Sequence, residues 1–406
     1  MNYESFTFHN GIRLIHSYMP NIIAHLGIIM NTGSRDEEIH EHGSAHLVEH
    51  MLFKGTEKRK AYHIISRIED AGGEINAYTT KEETCLYTSF LKQDYGRTLE
   101  LIHDVIFHSS FPQKEISREK EVIIDEINSY LDNPSELIFD DFEDLLFTGQ
   151  PIGRNILGTA GSLNGINRNE LTDFIGKNYF TEEMVLSSVG NIPFKKLVSL
   201  AGKYFNGVPG KRRSGKRYPV AVSKPDNKTL VKNTFQVHSI IGTTAYSYMD
   251  KKRYGLHLLN NILGGPGLNT RLNMSLRERN GYSYHAESHY SPYSDSGVVC
   301  VYFSGDKNKL EKSTRVVLRE LRKLREKKLG TLQLHRAKKQ LMGQIAISAE
   351  HHEGLMLAMA KSFLIFNKFD SLEETGRKIE NITAEHIMDI ANEILDERKL
   401  SKMVYR

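Results

Sequence analysis

Gly43-Ser-Ala-His46-Leu-Val-Glu49-His50-Met-Leu-Phe53 is the stretch around which the rest of the chain is organised. It reads as a helix. At 3.6 residues per turn, positions 46, 49 and 50 leave one face within about 100° of each other. Two imidazoles at i and i+4 can grip one metal ion, and a carboxylate at i+3 stands beside them without having to ligate. That is the arrangement of a zinc hydrolase, with two ligands and a general base for a metal-bound water. Leu47, Val48, Leu52 and Phe53 give the helix an apolar side to bury. His42 extends the ladder to i, i+4, i+8, but only the His46/His50 pair encloses a glutamate. His351 and His352 are adjacent and point apart on a helix, which makes a poor ligand pair.

The 406 residues suggest more than one domain. With 39% hydrophobic and 26% charged residues, the composition is that of a soluble globular protein. No apolar run approaches the roughly 20 residues that a membrane-spanning helix needs. The opening Met1-Asn-Tyr-Glu-Ser-Phe-Thr-Phe passes straight into strand-like alternation without a signal-peptide pattern, so a cytoplasmic location is the expectation. A net charge of +4 is too mild to argue for nucleic acid, and no nucleic-acid motif is present. The two cysteines, Cys85 and Cys300, fall in strand-like text and read as buried free thiols rather than a disulfide.

In chain order, residues 5–16 and 22–32 alternate as strands, followed by the helix above. A helix over about 60–71 is stopped by Gly72-Gly73. Strands at 74–79 and 83–91 lead to helices at 95–108, 112–131 and 135–147. The last of these carries Glu136, Asp140, Asp141, Glu143 and Asp144, which read as a solvated face. A helix near 169–178, a strand near 184–190 and a helix near 194–205 close a first domain, 1–208. Gly, Pro and like charges dominate the linker, 209–228, whose basic run Lys211 to Arg217 reads as a solvated tether. The second domain, 229–406, repeats the order of the first. It has a strand at 234–246 and a helix at 251–263 in the slot of the histidine helix. A helix at 269–279, strands at 282–290 and 297–303, and helices at 308–327, 331–366 and 384–396 follow. The matching helix has no HxxEH, so one copy carries the chemistry and the other shapes the substrate space.

A catalytic zinc needs a third protein ligand. The acidic residues of helix 112–131 are the candidates, with Glu119 and Glu126 two turns apart on one face. Glu126 lies 76 residues after His50, and Glu119, one face-sharing step away, could be an alternative ligand or an outer support. HxxEH is the inverzincin order. Together with His50-Met-Leu-Phe-Lys-Gly-Thr, Gly72-Gly-Glu-Ile-Asn76-Ala77-Tyr-Thr, Arg118-Glu-Lys-Glu-Val-Ile-Ile-Asp-Glu126 and Gly153-Arg-Asn-Ile-Leu-Gly158, the chain resembles the pitrilysin family of zinc metallopeptidases. Its length and single linker look like the processing-peptidase branch.

The resemblance implies an α+β fold of two homologous domains, each an antiparallel-rich sheet packed with helices, forming half of a clam-shell chamber. It implies one Zn2+ per chain held by His46, His50 and Glu126, with Glu49 as general base and Glu119 in support. Asn76 and Ala77 match an edge strand that pairs with the substrate backbone. Arg277 and Tyr284 match a substrate-holding Arg/Tyr pair, with Tyr282 as the alternative tyrosine. The implied activity is endopeptidase cleavage of unfolded peptides or flexible segments inside a dimer chamber. The dimer would be a homodimer, or a heterodimer with a degenerate homologue. The rival is a non-catalytic peptide-binding or assembly subunit of the same fold.

Overall fold

The computed structural model describes residues 2–215, 217–221 and 224–406. Lys216, Val222 and Ser223, which fall in the linker expected at 209–228, lie outside the described residues. Strands β1 (Glu4–Thr7), β2 (Arg13–Tyr18), β3 (Ile23–Met30), β4 (Glu74–Thr79), β5 (Thr84–Leu91) and β6 (Met184–Gly190) form one sheet, in the order β1-β2-β6-β3-β5-β4. Strands β7 (Asn227–Leu230), β8 (Val237–Thr244), β9 (Ser283–Pro292), β10 (Gly297–Gly305) and β11 (Ser401–Tyr405) form the other, in the order β7-β11-β8-β10-β9. Both sheets are mixed. In each a single parallel pairing, β2 with β6 and β7 with β11, joins otherwise antiparallel neighbours.

The two orders are the same permutation. Setting β1 aside, each sheet takes its five strands as first, fifth, second, fourth, third. The repeat expected from the sequence is therefore present as topology, and β4 and β9 are equivalent edge strands.

Helices α1 (Ser44–Met51), α2 (Ala61–Glu69), α3 (Tyr95–Phe107), α4 (Gln113–Leu131), α5 (Pro134–Leu146), α6 (Ala160–Gly165), α7 (Arg168–Asn178) and α8 (Phe194–Phe205) belong to the first half of the chain. The second half has α9 (Arg253–Gly264), α10 (Leu310–Glu326), α11 (Thr331–Ala349), α12 (His352–Phe366), α13 (Leu372–Glu380) and α14 (Ala384–Ile394). The fold is α+β.

The chain condenses into two compact units, and neither is contiguous in sequence. The first comprises residues through Ile127, Asn155–Tyr218 and Ile347–Ser371; the second comprises Asn128–Arg154, Pro219–Ala346 and Leu372–Arg406. In the first unit, Leu14, Leu26, Ile28 and Leu86 face α1 and α3 across one side of the sheet. Alternate residues of the same strands, Ile15, Ile29, Cys85, Val185 and Val189, face the other side. That second face is covered by Met356, Met359 and Phe363 of α12, a helix from the second half of the chain. In the second unit, Ile241, Val299, Val301 and Phe303 pack under α9, α10 and α14. Ile240, Cys300, Tyr302, Met403 and Tyr405 are covered by Leu137, Ile138, Phe142 and Leu146 of α5, a helix from the first half.

Several expectations are corrected here. The helix expected over 331–366 is interrupted: α11 ends in short i+3 bonds (Glu350 N to Ile347 O and His351 N to Ser348 O), and His351 is extended at φ −82°, ψ 95°. The break lets α12 leave the second unit and lie on the first sheet. The helix expected at 269–279 contains a π-helical turn, Asn273–Glu278. β7 and β11, short and at the margins of irregular text, form strands that periodicity does not reveal. The acidic helix is not a plain solvated face, because Asp141 and Glu143 accept hydrogen bonds from Tyr405 (2.6 Å) and Tyr293 (2.8 Å). Both cysteines are buried and free. No helix among the described residues is long and apolar enough to cross a membrane.

Candidate metal centre and peptide cleft

Helix α1 starts at Gly43, whose φ of +96° is a left-handed conformation that costs glycine little. A side chain there would also meet the Leu157 carbonyl oxygen at 3.0 Å, which accounts for the close approach of the Gly153–Gly158 motif to the helix start. The Glu37 carboxylate accepts hydrogen bonds from the backbone amides of Gly43 (3.0 Å) and Ala45 (2.8 Å), satisfying donors that a helix N-terminus leaves unpaired. Leu47, Val48 and Met51 are wholly buried in the core. The opposite face then has one orientation, and it presents His46, Glu49 and His50.

Helix α4 brings Glu119 and Glu126 to that face. Oε2 of Glu126 lies 3.8 Å from His46 Nε2 and 3.7 Å from His50 Nε2. Both distances are too long for a hydrogen bond. They are a few tenths of an ångström wider than the roughly 3.4 Å between ligand atoms around a tetrahedral zinc with bonds near 2.0–2.1 Å. Among the described residues, His46, His50 and Glu126 form the group whose ligand atoms all lie within 4.8 Å of one another. Two imidazole nitrogens and a carboxylate oxygen suit zinc, so the residues fit the ion.

Burial, then the neighbouring His50, pushes the His46 imidazole down to about 3, so the ring is neutral and its lone pair is available. Its Nδ1 is buried without a hydrogen-bond partner. His50 differs: the Glu119 carboxylate accepts from its Nδ1 at 3.1 Å, which fixes the tautomer and leaves Nε2 facing Glu126. Glu119 is buried and its other oxygen pairs with Lys54 Nζ at 2.7 Å. Glu119 is thus brought to the far side of the His50 ring, and Glu126 to the near side.

Burial raises the Glu49 carboxyl above its ordinary value, against the opposing pull of the Thr79 hydroxyl and His50. Glu49, His50, Phe53, Lys54, Ile65, Asn76, Ala77 and Glu119 line a cleft of about 360 Å³. One wall is β4, the edge strand, whose Asn76 and Ala77 pair inward with Tyr87 and Leu86 and leave the outer edge unpaired by any strand among the described residues. A larger cavity, about 650 Å³, lies in the second unit beside α9 and β9. Among the described residues it holds no cluster of three metal-ligating groups, so the chemistry points to the smaller cleft.

His42 Nε2 donates to the Asn155 carbonyl (2.8 Å) and lies outside the metal-ligating group. In the second unit, the Arg277 guanidinium lies 5.4 Å over the ring of Tyr284, which is 78% exposed. Tyr282 is half-buried and packs on the core. Sequence reasoning missed Lys54, Thr79 and Glu37. Lys54 stands in the Phe-Lys-Gly-Thr run, but nothing local reveals its partner. Glu37 precedes the helix by several residues, too far for a recognisable cap.

Two family models match the chain: Insulinase (Peptidase family M16) over residues 14–160 and Peptidase M16 inactive domain over residues 165–341. A Rickettsia bellii protein called an uncharacterized zinc protease is 32% identical over 406 residues, covering 99% of this chain and 97% of that one. An uncharacterized zinc protease of Bacillus subtilis is 29% identical over 97% of this chain and 96% of its own length. A protease from Helicobacter pylori superposes with a TM-score of 0.92 at 19% identity, covering 100% of this chain and 99% of the other. A Pseudomonas fluorescens structure described as a peptidase M16 inactive domain gives 0.92 at 20% identity, covering 100% and 98%. At these identities the structural likeness speaks to fold alone.

Proposed function

This chain belongs to peptidase family M16, and from that premise we propose that it is a zinc-dependent endopeptidase acting on unfolded peptides or flexible segments. The observation that carries the reading is the position of Glu126 Oε2, almost equidistant from the two Nε2 atoms of a helix that also presents Glu49. His46, His50 and Glu126 would hold one zinc ion per chain. When bound, zinc supplies a Lewis acid that polarises the scissile carbonyl and acidifies water. Glu49 takes the proton from the attacking water and returns it to the departing amine. Its raised affinity for a proton suits that double duty. Glu119, backed by Lys54, keeps His50 in the ligating tautomer.

The free edge of β4 at Asn76 and Ala77 would receive an extended peptide as an added strand, recognising backbone more than side chain. Arg277 and Tyr284 are proposed as further peptide-holding groups. A homodimer is the proposed working form, tested by light scattering at assay concentration; a single-chain mass would overturn it.

The test is cleavage of a quenched, unstructured peptide with and without chelator, recording zinc per chain. Activity that the chelator removes and zinc restores, at about one zinc per chain, supports the proposal. Glu49→Gln should lower kcat by about 10²–10⁴ with zinc retained. Full activity in that variant would overturn the role of Glu49. A biological role that survives without hydrolysis would favour the assembly reading.

A further inference from the structure

The basic segment between the two halves of the chain is not a solvated tether. Arg213 donates to Glu183 (2.7 Å), Asp36 (3.3 Å) and the Asn31 carbonyl (2.8 Å). Arg217 grips both oxygens of Asp36 (2.9 and 2.7 Å), the Asn31 side chain (2.9 Å) and the carbonyls of Asn31 (3.1 Å) and Glu82 (2.9 Å). The side chains are only 16% and 11% exposed, and that of Asp36 only 4%. Lys211 N donates to Thr181 Oγ1 (2.8 Å) and Arg213 N to Glu182 (3.1 Å), so the backbone is tied down as well. Arg35 completes the arrangement, binding Glu82 (2.6 Å) and the Tyr218 carbonyl (2.9 Å).

What these arginines hold is the turn that caps the histidine helix. Asp36 also accepts from the Gly33 amide (3.0 Å), which fixes the turn's backbone. Its chain neighbour, Glu37, carries the two hydrogen bonds to the first amides of α1. A planar guanidinium making five contacts sets Asp36 in place as a flexible ammonium cannot. We propose that Arg213 and Arg217 are positioning residues for the proposed metal centre, acting through Asp36 and Glu37 on the start of the helix that carries His46, Glu49 and His50. The segment is a strap on the turn that caps the catalytic helix, contributed by the end of the first unit's Asn155–Tyr218 stretch. This inference rests on the reading of α1 as the metal-binding helix.

The test uses the full chain as wild type, Arg217→Ala, Arg217→Lys, Glu37→Gln and the Arg217→Ala/Glu37→Gln pair. Zinc affinity is read by competition with a chromogenic chelator, the fold by circular dichroism, and kcat and KM on the unstructured peptide at saturating zinc. Arg217→Ala should weaken zinc binding about ten-fold and lower kcat with KM within about two-fold, while Arg217→Lys recovers part of both. The double variant should be little worse than Glu37→Gln, because both substitutions cut one path. Arg217→Ala or, should that variant not fold, Arg217→Lys with wild-type zinc affinity and kcat but a lower melting temperature would reduce the strap to a stabilising contact and overturn the inference. Additive losses in the pair would overturn the shared path. If the wild type binds zinc yet cuts no peptide, the endopeptidase reading fails while the zinc measurements still decide the strap. If the wild type binds no zinc, both fall together.

Discussion

Glu49 has two demands on it that pull against each other. As the proposed general base it must lie in the cleft to reach a substrate, and burial there opposes its charge. Because its folded-state pKa is raised, ionisation costs the metal-free folded chain: the associated stability is full below the ordinary carboxylate pKa and is lost as pH rises through the raised value. Glu49→Gln carries no such charge. In chelator, its melting temperature should match that of the wild type below about pH 4 and exceed it at pH 8; a variant that melts lower at pH 8 would refute this. Glu119 makes a different demand, for it hydrogen-bonds His50 and is proposed to act on the metal only through it. Glu119→Gln should weaken zinc binding about 10–100-fold in a chelator competition, with the fold intact. At this scale HxxEH was legible because three letters at helical spacing state their own geometry. The division of labour between Glu119 and Glu126 was not legible by spacing alone. Two glutamates seven apart share a face, and which side of an imidazole each reaches depends on how α4 crosses α1.

The edge strand β4 is the element on which the proposed substrate selection turns. Its inner side is committed to β5, residue by residue from Glu74 with Ser89 to Thr79 with Thr84. If the outer edge receives peptide through its main chain, N-methylating one substrate amide near the scissile bond should raise KM sharply. Changing the side chain at the same position should do little. Equal effects would mean that side-chain pockets dominate. The elements themselves were mostly legible where periodicity runs long, as in α4 or β3. They were not legible where tertiary context decides. The five residues of β11 are too few for a pattern, yet they sit between β7 and β8 in the interior of a sheet. The 331–366 run keeps its helical composition across Glu350 and His351, and only the placement of α12 on another sheet explains the break.

At the scale of the whole molecule, the repeat of strand order was readable from the two half-chains, but the exchange of α5 and α12 was not. α5 is amphipathic and α12 is apolar nearly all round, and nothing in the sequence says which sheet will receive either. The exchange makes the halves interdependent. Residues 1–218 alone would leave Ile15, Ile29, Cys85, Val185 and Val189 bare, and 219–406 alone would bare Ile240, Cys300, Tyr302, Met403 and Tyr405. Expressed separately, both pieces should aggregate or show weak near-ultraviolet dichroism. Expressed together they should yield soluble, dichroic protein. Two independently soluble, well-packed halves would contradict the exchange.

That same placement of α12 sets a timetable for synthesis. A ribosome delivers the chain from its N-terminus, and a domain ordinarily folds once its own residues have emerged. Here the first unit needs residues as late as Ser371 of 406. The sheet behind the proposed metal centre therefore waits, one greasy face uncovered, until His352–Phe366 has been made. A nascent chain in that condition is a client for whatever holds unfinished proteins apart in the cell. The helix that ends the wait is made just after the break at Glu350 and His351.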